Sequence, residues 1–364
     1  MAAPALDRLC RAYRMPAEWA PHLATYLVWP HNHDTWPGKF ETIPPVFARM
    51  AAAIAWFEPV RILIENEAAA GHVRALIAAA PCLDDDQPRL DRVELIPVPT
   101  NDSWIRDHGP IFINRIAPSE HGETDQIALD WRFNSWGNKY GPVDLDDVVA
   151  RHLGELYGVE VVEPGIVLEG GSIDVNGAGL LLTTESCLLN PNRNPSLTRE
   201  EIEGYLRVYL GIDKVLWLND GIAGDDTDGH VDDLARFTSA KTIVTVVEDD
   251  PADTNYQALR ENLRRLRGMR DQYGRQLHTE TLPMPPACFY EGMRLPASYA
   301  NFYIVNGGVI MPSFGCAADS IAQSTLQRLF SGRRVVTVPA IDLVWGLGAI
   351  HCLTQQHPVP PRFA

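Results

Sequence analysis

Four stretches of this 364-residue chain gather side chains that can do chemistry. "GLGAIHCLTQQHP" (346–358) sets a thiol, Cys352, beside His351 and ahead of Thr354, Gln355 and Gln356. "GDDTDGHVDD" (224–233) packs five aspartates and His230 into ten residues. "NDSWIRDHGP" (101–110) offers Trp104, Arg106 and Asp107, and "LEGGS" sets Glu169 beside two glycines, where backbone can approach a ligand closely.

A cysteine attacks as its thiolate, and an imidazole with an acidic partner can manage the proton. Cys352, His230 and Glu169 supply those types. The acidic stretch has two blander readings, a solvated loop and a metal site. Against the first, its flanks "KVLWLNDGIAG" and "LARFTSAKTIVTVV" are apolar enough to be buried. Against the second, its oxygens lack EF-hand spacing and no H-E-x-x-H pairs its histidine. The further carboxylates Asp107 and Asp232 do not suit peptide hydrolysis, where an oxyanion needs donors. They suit a cation. A guanidinium is planar, permanently charged and matches carboxylates bidentately. Its delocalised carbon is a poor electrophile, so pinning it between two carboxylates in front of a thiolate is a sensible arrangement. Trp104 can flank such a ligand, although a core tryptophan would read the same way.

These groups need elements to hold them. Residues 44–57 and 68–80 have helical periodicity, and 61–65 and 92–99 read as strands, an early α/β alternation. Residues 110–116, 126–134 and 159–164 read as further strands. In 166–184 two strands are expected to join through Asn176-Gly177. Residues 198–211 open on a Thr-x-x-Glu capping pattern and close on Gly211, which predicts a helix. A strand at 241–248, an amphipathic helix at 255–269 and a two-strand unit at 302–315 follow. "LEGGSIDV", "VNGGVIMP" and "LGAIHCLT" each set small residues before an apolar pair, a hint of repeated units. No linker divides the chain, so residues 1–364 are expected to form a single domain.

The totals narrow the class. Hydrophobic residues make up 46% and charged residues 21%, an ordinary globular balance. The net charge of −16, from 31 Lys+Arg and 47 Asp+Glu, disfavours nucleic acid and anionic membranes as partners. No apolar run is long enough to cross a bilayer, and the start "MAAPALDRLCRAYRMP" lacks a signal-peptide core. A cytoplasmic protein is expected. Six cysteines (10, 82, 187, 288, 316, 352) without a C-x-x-C pair argue against a disulfide framework or thiolate zinc site. All but Cys352 read as small buried apolar residues.

"MPAEW", "WPHNHDTW", "NDSWIRDHGP", "LEGGSIDVNG", "DDTDGHVDDLARF" and "IHCLTQQ" together resemble the agmatine deiminases and related bacterial peptidyl-arginine deiminases, guanidino-group modifying enzymes. The resemblance runs from about residue 15 to residue 358. It implies a pentein fold, a five-bladed α/β propeller of pseudo-repeated ββαβ units around a central site. It implies Cys352 as the nucleophile that forms an amidino-thioether and releases ammonia. His230 would then move protons with Glu169 beside it, Asp107 and Asp232 would grip the guanidinium, and Trp104 would line the substrate channel. No cofactor and no metal are implied, and a homodimer stays open.

The family usually reads Gly-Gly-Gly-Asn before Ile-His-Cys, whereas this chain reads Gly346-Leu347-Gly348-Ala349, a departure that bears on the substrate more than on the reaction class. The small residues there are expected to leave room for a planar group. His351 is expected to point away from the thiol, because successive strand residues face opposite ways. Arg106 is the obvious basic candidate for a substrate carboxylate, or else an ion-pair partner of Asp107. Asp226 could face an ammonium tail. The leading expectation is therefore hydrolysis of agmatine to N-carbamoylputrescine and ammonia. Peptidyl-arginine deimination, amidino transfer to an amine and non-enzymatic polyamine binding are the alternatives.

Overall fold

One order of strand pairing recurs along the chain. The structure, a computed structural model, describes residues 9, 12–83, 86–119 and 122–363. Cys10 and most of the opening stretch lie outside the described residues. In the first unit Ile111–Arg115 pairs antiparallel with Gln126–Leu129, which pairs parallel with Glu160–Val162 after the helix Val149–Leu156. Asp174–Val175, Leu180–Thr184 and Lys214–Leu218 repeat that order around the helix Arg199–Leu210. Ala235–Ser239, Thr242–Val247 and His278–Pro283 repeat it around Tyr256–Gly268. Tyr303–Val305, Gly308–Ser313 and Arg334–Pro339 do so around Ala317–Leu329.

The last sheet joins the two ends of the described chain. Gln355–Pro358 pairs antiparallel with His22–Val28, which runs parallel to Val60–Ile64 and through it to Val93–Pro97. A separate small hairpin, Phe289–Tyr290 with Met293–Arg294, stands outside these five sheets. The architecture is mixed α/β. A parallel pair needs a crossover, and each crossover here carries a helix that covers the sheet.

Local chemistry explains several elements. The Thr198 hydroxyl accepts from the Glu201 backbone N–H while the Glu201 carboxylate accepts from Thr198 N–H, and Gly211 stops the helix at φ +66°. The helix Ile43–Phe57 begins with prolines in its first turn and buries Ile43, Phe47, Met50, Ile54 and its run of alanines. Each large apolar side chain buried this way contributes about 1.5–3 kcal/mol. Small alanines let the sheets on either side approach closely. The Asn176-Gly177 turn forms as expected, between Val175 and Leu180, but the strand before it is only Asp174–Val175.

Two expectations fail. Residues 170–172 form a helical turn and not a strand. The "LEGGSIDV", "VNGGVIMP" and "LGAIHCLT" recurrence is not the repeat, because only the second lies in a strand hairpin. What repeats is pairing order, which apolar side chains of many sequences can satisfy.

Candidate active site

A cavity of about 440 Å³ opens from the surface down to Cys352. Trp104, Asp107, Trp136 and Leu347 line its depth, and Asp34, Asp102 and Asp226 line it further out. Among the described residues lining it are four carboxylates and no Lys or Arg. The functional side chains come from one recurring place. Asp107, Glu169, Asp232 and Cys352 each lie a few residues ahead of the first strand of a unit, before Ile111, Asp174, Ala235 and Gln355. His230 shares the loop of Asp232.

Asp107 is buried at the end of a short helix, Ile105–His108. Its Oδ1 accepts from Gly171 N–H at 2.8 Å and its Oδ2 from Trp136 Nε1 at 2.9 Å. His230 Nδ1 lies 3.8 Å from the same Oδ1. A Cβ on Gly171 would sit 2.5 Å from that ring nitrogen and 2.9 Å from the carboxylate, so only glycine allows this approach. Burial raises the Asp107 carboxyl above the usual range, and the carboxylates of Asp232 and Glu169 add to it. Burial works to lower His230, but Asp107 and then Cys187 and Asp232 raise it well above the ordinary histidine value.

On the other side, Asp232 Oδ2 lies 3.6 Å from the Cys352 sulfur and 2.7 Å from His351 Nδ1. Its Oδ1 is buried with no hydrogen-bond partner among the described residues. His351 Nε2 in turn lies 2.7 Å from Glu18, which also accepts from Arg236 at 2.7 Å. Burial opposes ionisation of Asp232, yet the His351 contact holds its carboxyl below the usual range. Burial pushes the Cys352 thiol well up, and Asp232, Asp233 and Asp107 push it further.

Residues 350–353 form a turn, so strand alternation does not govern His351. It sits behind Asp232 and steadies it. Arg106 is not paired with Asp107. Its guanidinium is buried and donates to Gln355 and Gln356 Oε1, each at 2.8 Å, which explains the two amides after Cys352 and leaves it no substrate carboxylate to meet. Glu169 lies beside His230 and is held from behind. Arg193 Nε binds its Oε1 at 2.5 Å, while the carboxylate, the Cys187 sulfur and a His230 ring nitrogen lie within 4.8 Å of one another. That trio could in geometry take a metal ion, but Arg193 already supplies the positive charge there. Asp232, Asp233 and Cys352 form a similar buried cluster, of which Cys352 lines the cavity.

Gly346 and Gly348 make room for indoles. A Cβ on Gly348 would lie 2.5 Å from Trp104, and one on Gly346 would lie 2.6 Å from Trp36. Between them Leu347 takes a left-handed φ of +69°, a conformation that costs a non-glycine residue about 1–2 kcal/mol. Trp104 both packs on Trp36, at 5.6 Å between ring centroids, and lines the cavity. Asp226 lines the cavity as well, its Oδ2 accepting from the Tyr140 hydroxyl. Sequence reasoning passed over Trp136, Asn301 and Glu18. Trp136 and Glu18 lie in or beside quoted motifs or strands, but nothing local marks their partners.

The chain is similar to known proteins over nearly its whole length. Porphyromonas-type peptidyl-arginine deiminases match residues 14–358. The agmatine deiminase of Ectopseudomonas mendocina is 41% identical over 371 aligned positions, 96% of each chain. That of Pseudomonas aeruginosa is 38% identical over 387 positions and 100% of each chain. The solved agmatine deiminase of Enterococcus faecalis is 35% identical, with a TM-score of 0.84 over 95% of this chain and 96% of its own. With a match that long, and a cysteine facing two buried aspartates at its centre, the chain belongs to the Porphyromonas-type peptidyl-arginine deiminase family.

Proposed function

We propose that this protein hydrolyses agmatine to N-carbamoylputrescine and ammonia, with Cys352 as nucleophile. One observation carries the reading: the thiol lies at the bottom of a cavity whose described lining has four aspartates and no basic residue. Agmatine is a cation at both ends, whereas free arginine would bring a carboxylate that this lining repels. The deiminase names of relatives at 38–41% identity support the same assignment.

In this reading Asp107 and Asp232 Oδ1 receive the guanidinium, and Trp104 flanks it. The bound cation offsets the carboxylate charge that opposes the thiolate, so the sulfur loses its proton to water as substrate enters. The thiolate attacks the central carbon and a C–S bond forms. Protonated His230 gives its proton to one amino group, the C–N bond breaks and ammonia leaves, with a cationic amidino-thioether on Cys352. Neutral His230 then takes a proton from water as the water oxygen bonds to the same carbon. The C–S bond breaks, the thiolate returns, and the hydroxyl proton departs with the urea product to convert ammonia to ammonium. Glu169, held by Arg193, sets the negative potential behind His230.

We propose further that the five ββαβ units are the blades of a propeller with the cavity at its axis. The pairing of Gln355–Pro358 with His22–Val28 and the recurring place of the functional residues support this. Ammonia release from agmatine, free arginine, a peptidyl-arginine and methylated arginines, compared side by side, tests the substrate. Faster turnover of free arginine at low concentration would overturn the agmatine assignment and leave deiminase chemistry standing. Peptidyl-arginine as best substrate would do the same.

A further inference from the structure

Four of the five units place a chemically conspicuous residue just ahead of their first strand. The fourth unit places Asn301 there, two residues before Tyr303 in the apolar run "SYANFYIV". Nothing in that run marks an active-site residue. Its side chain is fully buried, and both its oxygen and its nitrogen reach the loop of Cys352.

The orientation of the amide is settled by what surrounds it. One end of it faces two backbone N–H groups, His351 N at 2.8 Å and Cys352 N at 3.4 Å. Backbone N–H can only donate, so that end is the oxygen. The opposite end is therefore the NH2, and it has two targets. One is Asp233 Oδ1 at 3.0 Å; the other is the Cys352 sulfur at 3.1 Å.

That contact is the one a thiolate needs here. The other groups facing the sulfur are negative: Asp232 Oδ2 at 3.6 Å, Asp233 in the same cluster within 4.8 Å, and Asp107 across the cavity. His230 lies on the far side, 3.8 Å from Asp107, and the His351 ring is turned onto Asp232 and Glu18. Hydrogen bonds to a charged partner are about twice as strong as neutral ones. An amide donor fixed at 3.1 Å thus gains most when the sulfur ionises. It makes no demand for a proton of its own.

We propose that Asn301 is a catalytic residue, whose amide hydrogen bond stabilises the Cys352 thiolate as it forms. This rests on the reading of Cys352 as nucleophile. It leaves substrate grip to Asp107 and Asp232, so its loss acts on the chemical step.

The test is alkylation of the free enzyme by iodoacetamide across pH, with modification of Cys352 followed by mass spectrometry. In Asn301→Ala the pH of half-maximal rate should rise by about one unit, making alkylation below it about tenfold slower. Turnover number should fall at least about tenfold, while KM for agmatine stays within about threefold. Asn301→Leu removes the donor at nearly the same volume without adding charge, and should move the profile in the same direction. It carries the test if the alanine variant does not fold. An unmoved alkylation profile in either folded variant overturns the proposal. If instead Cys352→Ser retains turnover, the nucleophile reading itself is wrong, and the two failures are told apart.

Discussion

Replacing Asp107 by Asn separates the carboxylate's role in the reaction from its role in the fold. The side chain is nearly isosteric, and both oxygens of Asp107 currently accept, from Gly171 N–H and Trp136 Nε1. The new NH2 must face one of those donors, so one hydrogen bond is lost, worth about 0.5–1.5 kcal/mol net. Against that, a buried carboxyl whose proton affinity is raised by desolvation is removed. Such a group stabilises the fold fully only below its unfolded value, and its contribution falls as pH rises toward the higher folded value. The Asn variant should therefore gain in Tm relative to the parent as pH rises above about 4, the unfolded carboxyl's range, and lose little overall. The reaction behaves differently. Losing one charged partner of a desolvated guanidinium costs about 2–5 kcal/mol by analogy with truncated buried charge pairs. At about 1.4 kcal/mol per decade, kcat/KM should drop roughly 30- to 4,000-fold. Steady-state ammonia release and thermal unfolding on the same preparations measure both. A variant with kcat/KM near the parent's on every guanidine tried would refute the clamp. A collapse in Tm that tracks the activity loss would reduce Asp107 to a structural role.

Cys352→Ser should abolish turnover with the fold intact, since a serine hydroxyl holds its proton far more tightly; ammonia release within about tenfold of the parent would exclude covalent catalysis through this residue. Asp226→Ala should raise KM for agmatine more than it lowers kcat, because a contact far from the reacting carbon acts as uniform binding; an unchanged KM would place the ammonium elsewhere. Gly171→Ala pushes a methyl to 2.5 Å from His230, so kcat should fall at least about tenfold with an overpacking cost of about 1–3 kcal/mol in stability. Leu347→Gly removes a left-handed leucine from the cavity wall and should change the ranking of guanidino substrates, leaving the thiol's alkylation rate as it was.

The parts of this molecule legible in its sequence are those whose signal is local or chemically conspicuous. The helix after Thr198 could be bounded because its cap and its stop lie within one stretch of chain. Cys352, His230 and Asp107 stand out by type, in motifs that carry a family resemblance. Glu169 was legible by type too, but its partner Arg193 was not, and that partner decides its depth in the site. Asn301 was invisible, because an amide in an apolar run signals nothing until the sulfur is placed beside it. His351 was read in the wrong conformation, a strand where the chain turns. Arg106 was given the wrong partner, since the amides that bind it lie 249 and 250 residues away. The recurring pairing order was expected only through the family resemblance for a related reason: it is written in pairing and not in residue types.

Because each unit supplies its part of the site from the same place, no fragment of the chain contains an active centre. Tyr26 pairs with Gln355 in the sheet that brings the thiol home, across nearly the whole described length. Contacts so distant in sequence are slow to form, since loop closure must precede any gain from them. Individual ββαβ units can collapse early around their own helices, but a competent thiol appears only when the last sheet zips to the first. Catalysis is thus a clock on folding: refolding followed by turnover should lag refolding followed by helix content. In denaturant the order reverses, with activity fading as that seam opens while the units still hold.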